Sequence, residues 1–211
     1  MPTLLHIDSS PLGDASISRH LSHHFVEQWK EVNPDGHLVR RDLTETTIVP
    51  VTASWIGAVY TPDDARTPEQ NEIISLSNTL LAELRAADEY VIGVPMHNFS
   101  IPSTLKLWID QVARRGETFS YIDGKPEGLL KGKKATFITA SGGAYDAGTA
   151  FASLNFVEPY LRSVFGFLGV IDTTFINAGG ASAIMYGQID RPTFLQPHLD
   201  SIRQQLQPAR V

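Results

Sequence analysis

Four serine hydroxyls, Ser9, Ser10, Ser16 and Ser18, lie between a short apolar run and the start of a helical pattern. Hydroxyls in front of a helix meet free backbone N–H groups and positive potential. Together they suit a phosphate monoester without a Lys or Arg partner. Taken alone, Ser16 or Ser18 is equally well explained as a helix cap. A second stretch, Pro95-Met96-His97-Asn98-Phe99-Ser100-Ile101-Pro102, is bracketed by prolines and rich in flat or polarizable side chains. Met96 and Phe99 can pack on an apolar ring system, while Asn98 and backbone N–H groups address its polar edge. The plainer reading is an ordinary connection with a buried Phe. A third stretch, Ala140-Ser141-Gly142-Gly143, carries paired glycines. They allow close approach to a planar ligand, an anion-binding nest, or simply a turn.

All three stretches follow strands. Thr3 to Asp8 is a buried strand, and Ile17, Leu21, Phe25, Val26 and Trp29 recur at helical spacing behind it. Asn33-Pro34-Asp35-Gly36 is a turn, and His37 to Leu43 a strand nearer the sheet edge, because it holds Arg40 and Arg41. A short helix is expected around Trp55. Thr67-Pro68-Glu69 opens a helix that runs to about Ala87. Glu89 to Val94 is almost continuously apolar, as a central parallel strand should be. A helix over Ser103 to Ala113 follows, then an excursion from Phe119 to Lys125 with a turn at Asp123-Gly124. Lys134 to Ala140 is a strand, Asn155 to Phe167 a helix, Gly169 to Ile176 a strand, and 190–206 a terminal helix. Such alternation predicts an α/β fold: a doubly wound, five-stranded parallel sheet with helices on both faces. Ligands of such sheets bind beyond the carboxyl ends of the strands, where the strand order reverses. The three stretches would therefore meet.

Composition narrows the classes. The 211 residues suit a single domain over 1–211, 42% hydrophobic and 19% charged. A formal charge of -6 argues against nucleic acid. There is no cysteine, so disulfides and thiolate chemistry are excluded. Met1 to Ser10 lacks the pattern of a signal peptide, and no apolar run is long enough for a membrane span, so a cytoplasmic protein is expected. His20, His23 and His24 make a poor metal set and are expected on a solvated helical face; no metal is expected. Lys133-Lys134 reads as surface charge.

One loop fitted to a phosphate and two fitted to a flat heterocycle match the demands of FMN. The chain resembles the FMN-dependent NADH:azoreductase and NADH:quinone oxidoreductase family, which has a flavodoxin-like fold. The likeness rests on Ser9-Ser10, Ser16-x-Ser18, Phe25-Val26-Glu27-Gln28-Trp29, Pro95-Met96-His97-Asn98-Phe99, Gly116-x-Thr118-Phe119-x-Tyr121, Pro126-Glu127-Gly128-Leu129, Gly132-Lys133-Lys134 and Gly142-Gly143. It implies non-covalent FMN held by Ser10, Ser16, Ile17, Ser18, Met96, His97, Asn98, Phe99, Ala140, Ser141, Gly142 and Gly143. It implies NADH or NADPH as co-substrate, a quinone or azo compound as acceptor, and a homodimer with active sites at its interface. Tyr121 would border the site and reach toward the partner's flavin, and Phe165 and Phe167 are candidate pocket walls. The family often has Tyr where this chain has His97, and Ser-Arg where it has Ala140-Ser141.

The resemblance implies a ping-pong reaction in which the flavin carries the chemistry. No side-chain nucleophile is proposed. His97 is expected to contribute mainly backbone, with proton donation to the acceptor as the alternative. Other classes are a flavodoxin-type electron carrier and a flavin-free, flavodoxin-like binding protein.

Overall fold

Residue alternation along the strands decides how this chain packs. The computed structural model describes residues 1–207. In β1 (Thr3–Asp8) and β3 (Glu89–Pro95), Leu5, Ile7, Tyr90, Ile92 and Val94 enter one buried cluster, and Leu4 and Val91 enter another. Successive side chains of a strand point to opposite faces, so a strand apolar throughout needs cover on both. α1 (Ile17–Val32) and α8 (Arg191–Leu206) cover one face with Leu21, Phe25, Trp29, Phe194 and Ile202. α4 (Ser75–Ala86), α5 (Ser103–Val112) and α6 (Val157–Leu168) cover the other with Leu80, Leu84, Trp108, Val112, Leu161 and Phe165.

β2 (His37–Asp42), β6 (Lys134–Ala140) and β7 (Asp172–Ala178) complete a five-stranded sheet in the order β2-β1-β3-β6-β7. All four pairings are parallel. The chain moves outward from β1 to β2 and then back past β1 to β3. The switch point therefore lies between β1 and β3, where Ser9-Ser10 and Pro95-Met96 leave the sheet. This is the doubly wound, flavodoxin-like arrangement expected from the sequence.

Four features refine or correct the expected elements. The long helix expected after Thr67 is two: α3 (Pro68–Ile73), opened by a capping box of Thr67 and Gln70, and α4. The break is at Ile74, which is fully buried against Trp55 and Ala58 of α2 (Ala53–Tyr60). The last strand begins at Asp172, because Gly169, at φ 104, is the left-handed cap of α6. The excursion after α5 is an antiparallel hairpin of β4 (Phe119–Ile122) and β5 (Lys125–Gly128). Lys133 is not simple surface charge. Its ammonium donates to the Arg85 carbonyl at 2.8 Å and to that of Ala87, capping the end of α4, and burial lowers its pKa. α7 (Ser182–Met185) is a short turn of helix before α8.

Candidate functional site

Three loops converge because hydrogen bonds stitch them together. The Ser9 hydroxyl donates to the Gly93 carbonyl of β3 at 2.6 Å, joining the first loop to the second. The Met96 N–H donates to the Ala140 carbonyl at 2.7 Å, joining the second to the third. The Phe99 ring stands edge-on to Tyr145 with centroids 6.0 Å apart, so the second and third loops also touch through aromatics.

The first loop presents a hydroxyl niche. Ser10, Ser16 and Ser18 are each at most 3% exposed, although none is apolar. Ser16 is the N-cap of α1: its side chain accepts the Arg19 N–H at 3.2 Å, and its hydroxyl pairs with that of Ser18 at 3.2 Å. The cap reading and the ligand reading are thus compatible, since one oxygen serves the helix while the remaining first-turn N–H groups keep their positive potential. Ile17 between them is half-buried against the α1–α8 side of the core.

The second loop turns sharply. His97 and Ser100 exchange backbone hydrogen bonds of 2.9 and 3.0 Å. Asn98 and Phe99 between them adopt φ 49 and φ 70. Left-handed backbone is uncommon in a non-glycine residue and unfavourable for a bulky one, and such strain tends to gather at functional sites. Its effect here is that His97, Asn98 and Phe99 are all exposed at the mouth, with Met96 half-buried behind them.

In the third loop Ala140 is buried, Ser141 and Gly143 are half-buried and Gly142 is exposed. Neither glycine takes positive φ. An anion nest needs left-handed backbone, so the paired glycines do not form one. A Cβ at Gly143 would lie 3.1 Å from the Tyr145 ring, whereas one at Gly142 would meet nothing nearer than Ser182 at 3.9 Å. Gly143 makes room for Tyr145, and Gly142 leaves bare backbone facing outward.

The remaining predicted residues lie elsewhere. Phe165 is a correction: it is fully buried, edge-on to Phe137 at 4.9 Å and Tyr90 at 6.3 Å, and belongs to the core rather than to a pocket wall. Its place on the inner face of α6 leaves it no open side. Tyr121 and Phe167 are 49% and 38% exposed and meet through Phe119, at 6.0 and 4.7 Å. They sit with the hairpin, which packs on the C-terminal end of α6 through Gly128 and Gly169. Within one chain, that places them apart from the three loops.

A charged network behind the niche escaped the sequence reading. Asp8 at the end of β1 accepts from His23 at 2.9 Å and from Ser22 at 2.9 Å, with Arg19 at 3.4 Å and His6 at 3.4 Å. Burial pushes its pKa up, but hydrogen bonds and charge from His6, His23 and Arg19 pull it down to about 2. Arg19 also binds Asp42 at 2.5 Å and donates to the Ser10 carbonyl at 2.8 Å, so this network braces the serine loop. Atoms of His6, Asp8 and His23 lie within 4.8 Å of one another. The Arg19 guanidinium and the Ser22 hydroxyl already occupy the Asp8 oxygens, which makes this a hydrogen-bonded network. His23 is therefore not a merely solvated residue. The signal was present as polar residues at Asp8, Arg19 and His23, but only the fold brings β1 beside α1.

The donor set fits FMN. Buried hydroxyls and free N–H groups suit a phosphate, and an open shelf of Met96, Phe99 and glycine backbone beside them suits a flat ring. Comparison with known proteins agrees. The family model described as flavodoxin-like fold matches residues 2–206. An FMN-dependent NADH:quinone oxidoreductase of Acidobacterium capsulatum is 54% identical over 204 residues, 97% of this chain and 98% of that one. FMN-dependent NADH:quinone oxidoreductase 3 of Burkholderia lata is 50% identical over 200 residues, 95% and 97% of the two chains. Among solved structures, an FMN-dependent NADH-azoreductase from Bacillus anthracis in complex with FMN superposes with a TM-score of 0.86 at 27% identity, covering 98% of each chain. The chain belongs to the flavodoxin-like family of FMN-dependent NADH:quinone oxidoreductases and azoreductases.

Proposed function

We propose that this protein is an FMN-dependent NADH:quinone oxidoreductase that also reduces azo compounds. The observation that carries the reading is the buried hydroxyl niche of Ser10, Ser16 and Ser18 set beside the exposed turn His97–Ser100 at one sheet end. When bound there, FMN supplies hydride acceptance from NADH and two-electron delivery to the acceptor, the two substrates using one face in turn.

The chain's own residues provide binding and orientation. Ser10, Ser16, Ser18 and the first turn of α1 hold the phosphate. Ile17 contributes backbone and packs beneath it. Met96, Phe99, Gly142 and Gly143 bound the ring plane, and Ala140 and Ser141 carry the third loop against it. N–H groups at Asn98 and Phe99 face the polar edge, where fixed donors stabilise added negative charge. Asn98 and Phe99 hold left-handed backbone, and the paired hydrogen bonds of the turn use the N–H groups of His97 and Ser100 instead. His97 shares this turn through its backbone, and no side-chain nucleophile is assigned.

A homodimer supports the rest of the pocket: the partner subunit's Tyr121 and the partner subunit's Phe167 would wall the acceptor site that a single chain leaves open. No helix among the described residues is long and apolar enough to cross a membrane. A cytoplasmic location remains our reading of the sequence.

The test is spectroscopic. Purified protein should bind stoichiometric FMN and turn yellow. NADH without any partner protein should bleach it, and a quinone should restore the colour. Protein that binds FMN but is not bleached by NADH would be an electron carrier, and protein that ignores added FMN would defeat the reading altogether.

A further inference from the structure

A single guanidinium from the far end of the chain gathers the carbonyls of the serine loop. Arg191, the first residue of α8, donates from Nη1 to the Ala15 carbonyl at 2.8 Å and from Nη2 to those of Asp14 and Ser16 at 3.1 and 3.3 Å. These carbonyls end the 3-10 turn Gly13–Ala15 and lead into the α1 cap. The contact spans 175 residues between Ser16 and Arg191. The last helix thereby sets the entry angle of the loop that carries the hydroxyls.

The carboxylates around Arg191 matter as much as its own contacts. Arg19 on the opposite side of the loop is neutralised by Asp42 at 2.5 Å and Asp8 at 3.4 Å. Among the described residues no carboxylate forms an ion pair with Arg191. The neighbouring Asp190 carboxylate is engaged as N-cap of α8 by the N–H and hydroxyl of Thr193, at 2.9 and 2.7 Å. Asp14 contributes its carbonyl to the clasp. His20, on the next turn of α1, has its pKa lowered first by burial and then by the charge of Arg191. A phosphate at the α1 N-terminus would lie within a Debye length of it.

We infer that Arg191 is a specificity-determining residue for the phosphorylated flavin. It positions the Asp14–Ser16 backbone and supplies uncompensated positive charge beside the phosphate niche, so the site favours FMN over riboflavin. The inference rests on the FMN reading above. Arg191 acts through the loop and through its field, and is a positioning residue rather than a catalytic one.

The test is fluorescence titration of flavin-stripped protein with FMN and, separately, with riboflavin, for wild type, R191Q and R191K. R191Q should weaken FMN on the order of tenfold while leaving riboflavin within about twofold, given one charge acting on a nearby dianion. R191K, which keeps the charge but cannot span three carbonyls, should fall between. Raising salt should weaken FMN binding more in wild type than in R191Q. Equal loss of both flavins in R191Q, or no loss of either, overturns the inference. If R191Q does not fold, as judged by circular dichroism, R191K and the salt series on wild type decide the matter: salt-insensitive FMN binding in wild type overturns it. Wild type that binds neither flavin instead defeats the underlying FMN reading.

Discussion

Asp8 shows how much one side chain can do at the end of a strand. It is 7% exposed as a side chain, yet it stays ionised because His6, His23, Ser22 and Arg19 surround it. With its pKa held at about 2 in the fold against an ordinary 3.8, ionised Asp8 stabilises the native state at pH above 3.8. That contribution fades as the pH falls through 2, because protonation is then as complete in the folded as in the unfolded chain. A shift of this size is worth about 2 kcal/mol. Urea unfolding measured between pH 4 and pH 2 should therefore show wild type losing about 2 kcal/mol more than Asp8→Asn over that window. Parallel acid limbs for the two proteins would mean that Asp8 titrates normally. The sequence did not announce this residue. Asp8 ends an apolar run, Arg19 and His23 share a face of α1, and nothing in their spacing says that β1 and α1 lie together. The serine niche was legible because all its members are local. The brace behind it was not, because it is tertiary, and Arg191 was further still from view.

At the level of elements, two glycines seat the hairpin that carries Tyr121. A Cβ on Gly128 would come within 2.2 Å of the Gly169 nitrogen and 2.4 Å of the Leu168 carbonyl carbon. Both are backbone atoms, so the obstacle cannot rotate away. Gly128→Ala should therefore cost about 1–3 kcal/mol, typical of overpacking, and loosen the hairpin from α6. Gly57 in α2 is the contrasting case, since a Cβ there meets nothing within 4 Å. Gly57→Ala should raise stability by roughly 0.5–1 kcal/mol, as expected for removing glycine from a helix interior. Thermal melts of both variants check the pair, and an unchanged melt for Gly128→Ala would refute the seating. The elements that sequence placed well are those with strong periodicity or punctuation: β1, β3, β6, the Ser16 cap and the Asp123-Gly124 turn. The helix break at Ile74 was hidden, because a single-residue interruption leaves the apolar spacing of its flanks intact. The start of β7 was placed early, because Gly169 belongs to the end of α6 and the apolar Val170-Ile171 blurs the boundary.

In the dimer proposed above, each chain supplies only part of a site. α5 begins just after the His97–Ser100 turn, and its ten residues carry the chain away by about 15 Å before the hairpin starts. Tyr121 and Ile122 of the hairpin, Leu129 just after it and Phe167 of α6 are 49%, 56%, 42% and 38% exposed. In the proposed dimer these exposed apolar side chains of one subunit would pack against the exposed loops of the other across a two-fold axis, the commonest symmetry of homo-oligomers. The proposed dimer makes a strong prediction for mixed subunits. Ser16→Asp sets a carboxylate where the phosphate should bind, and Tyr121→Asp spoils the wall donated to the other chain, so each homodimer should be nearly inactive with quinone. When the two are mixed and allowed to exchange, half the dimers become hybrids, and each hybrid holds one flavin site with an intact Ser16 and the partner subunit's Tyr121. Activity should recover to roughly a quarter of wild type. If each chain instead used its own hairpin, every site in the mixture would carry a lesion and no activity would return, whatever the oligomeric state measured by light scattering.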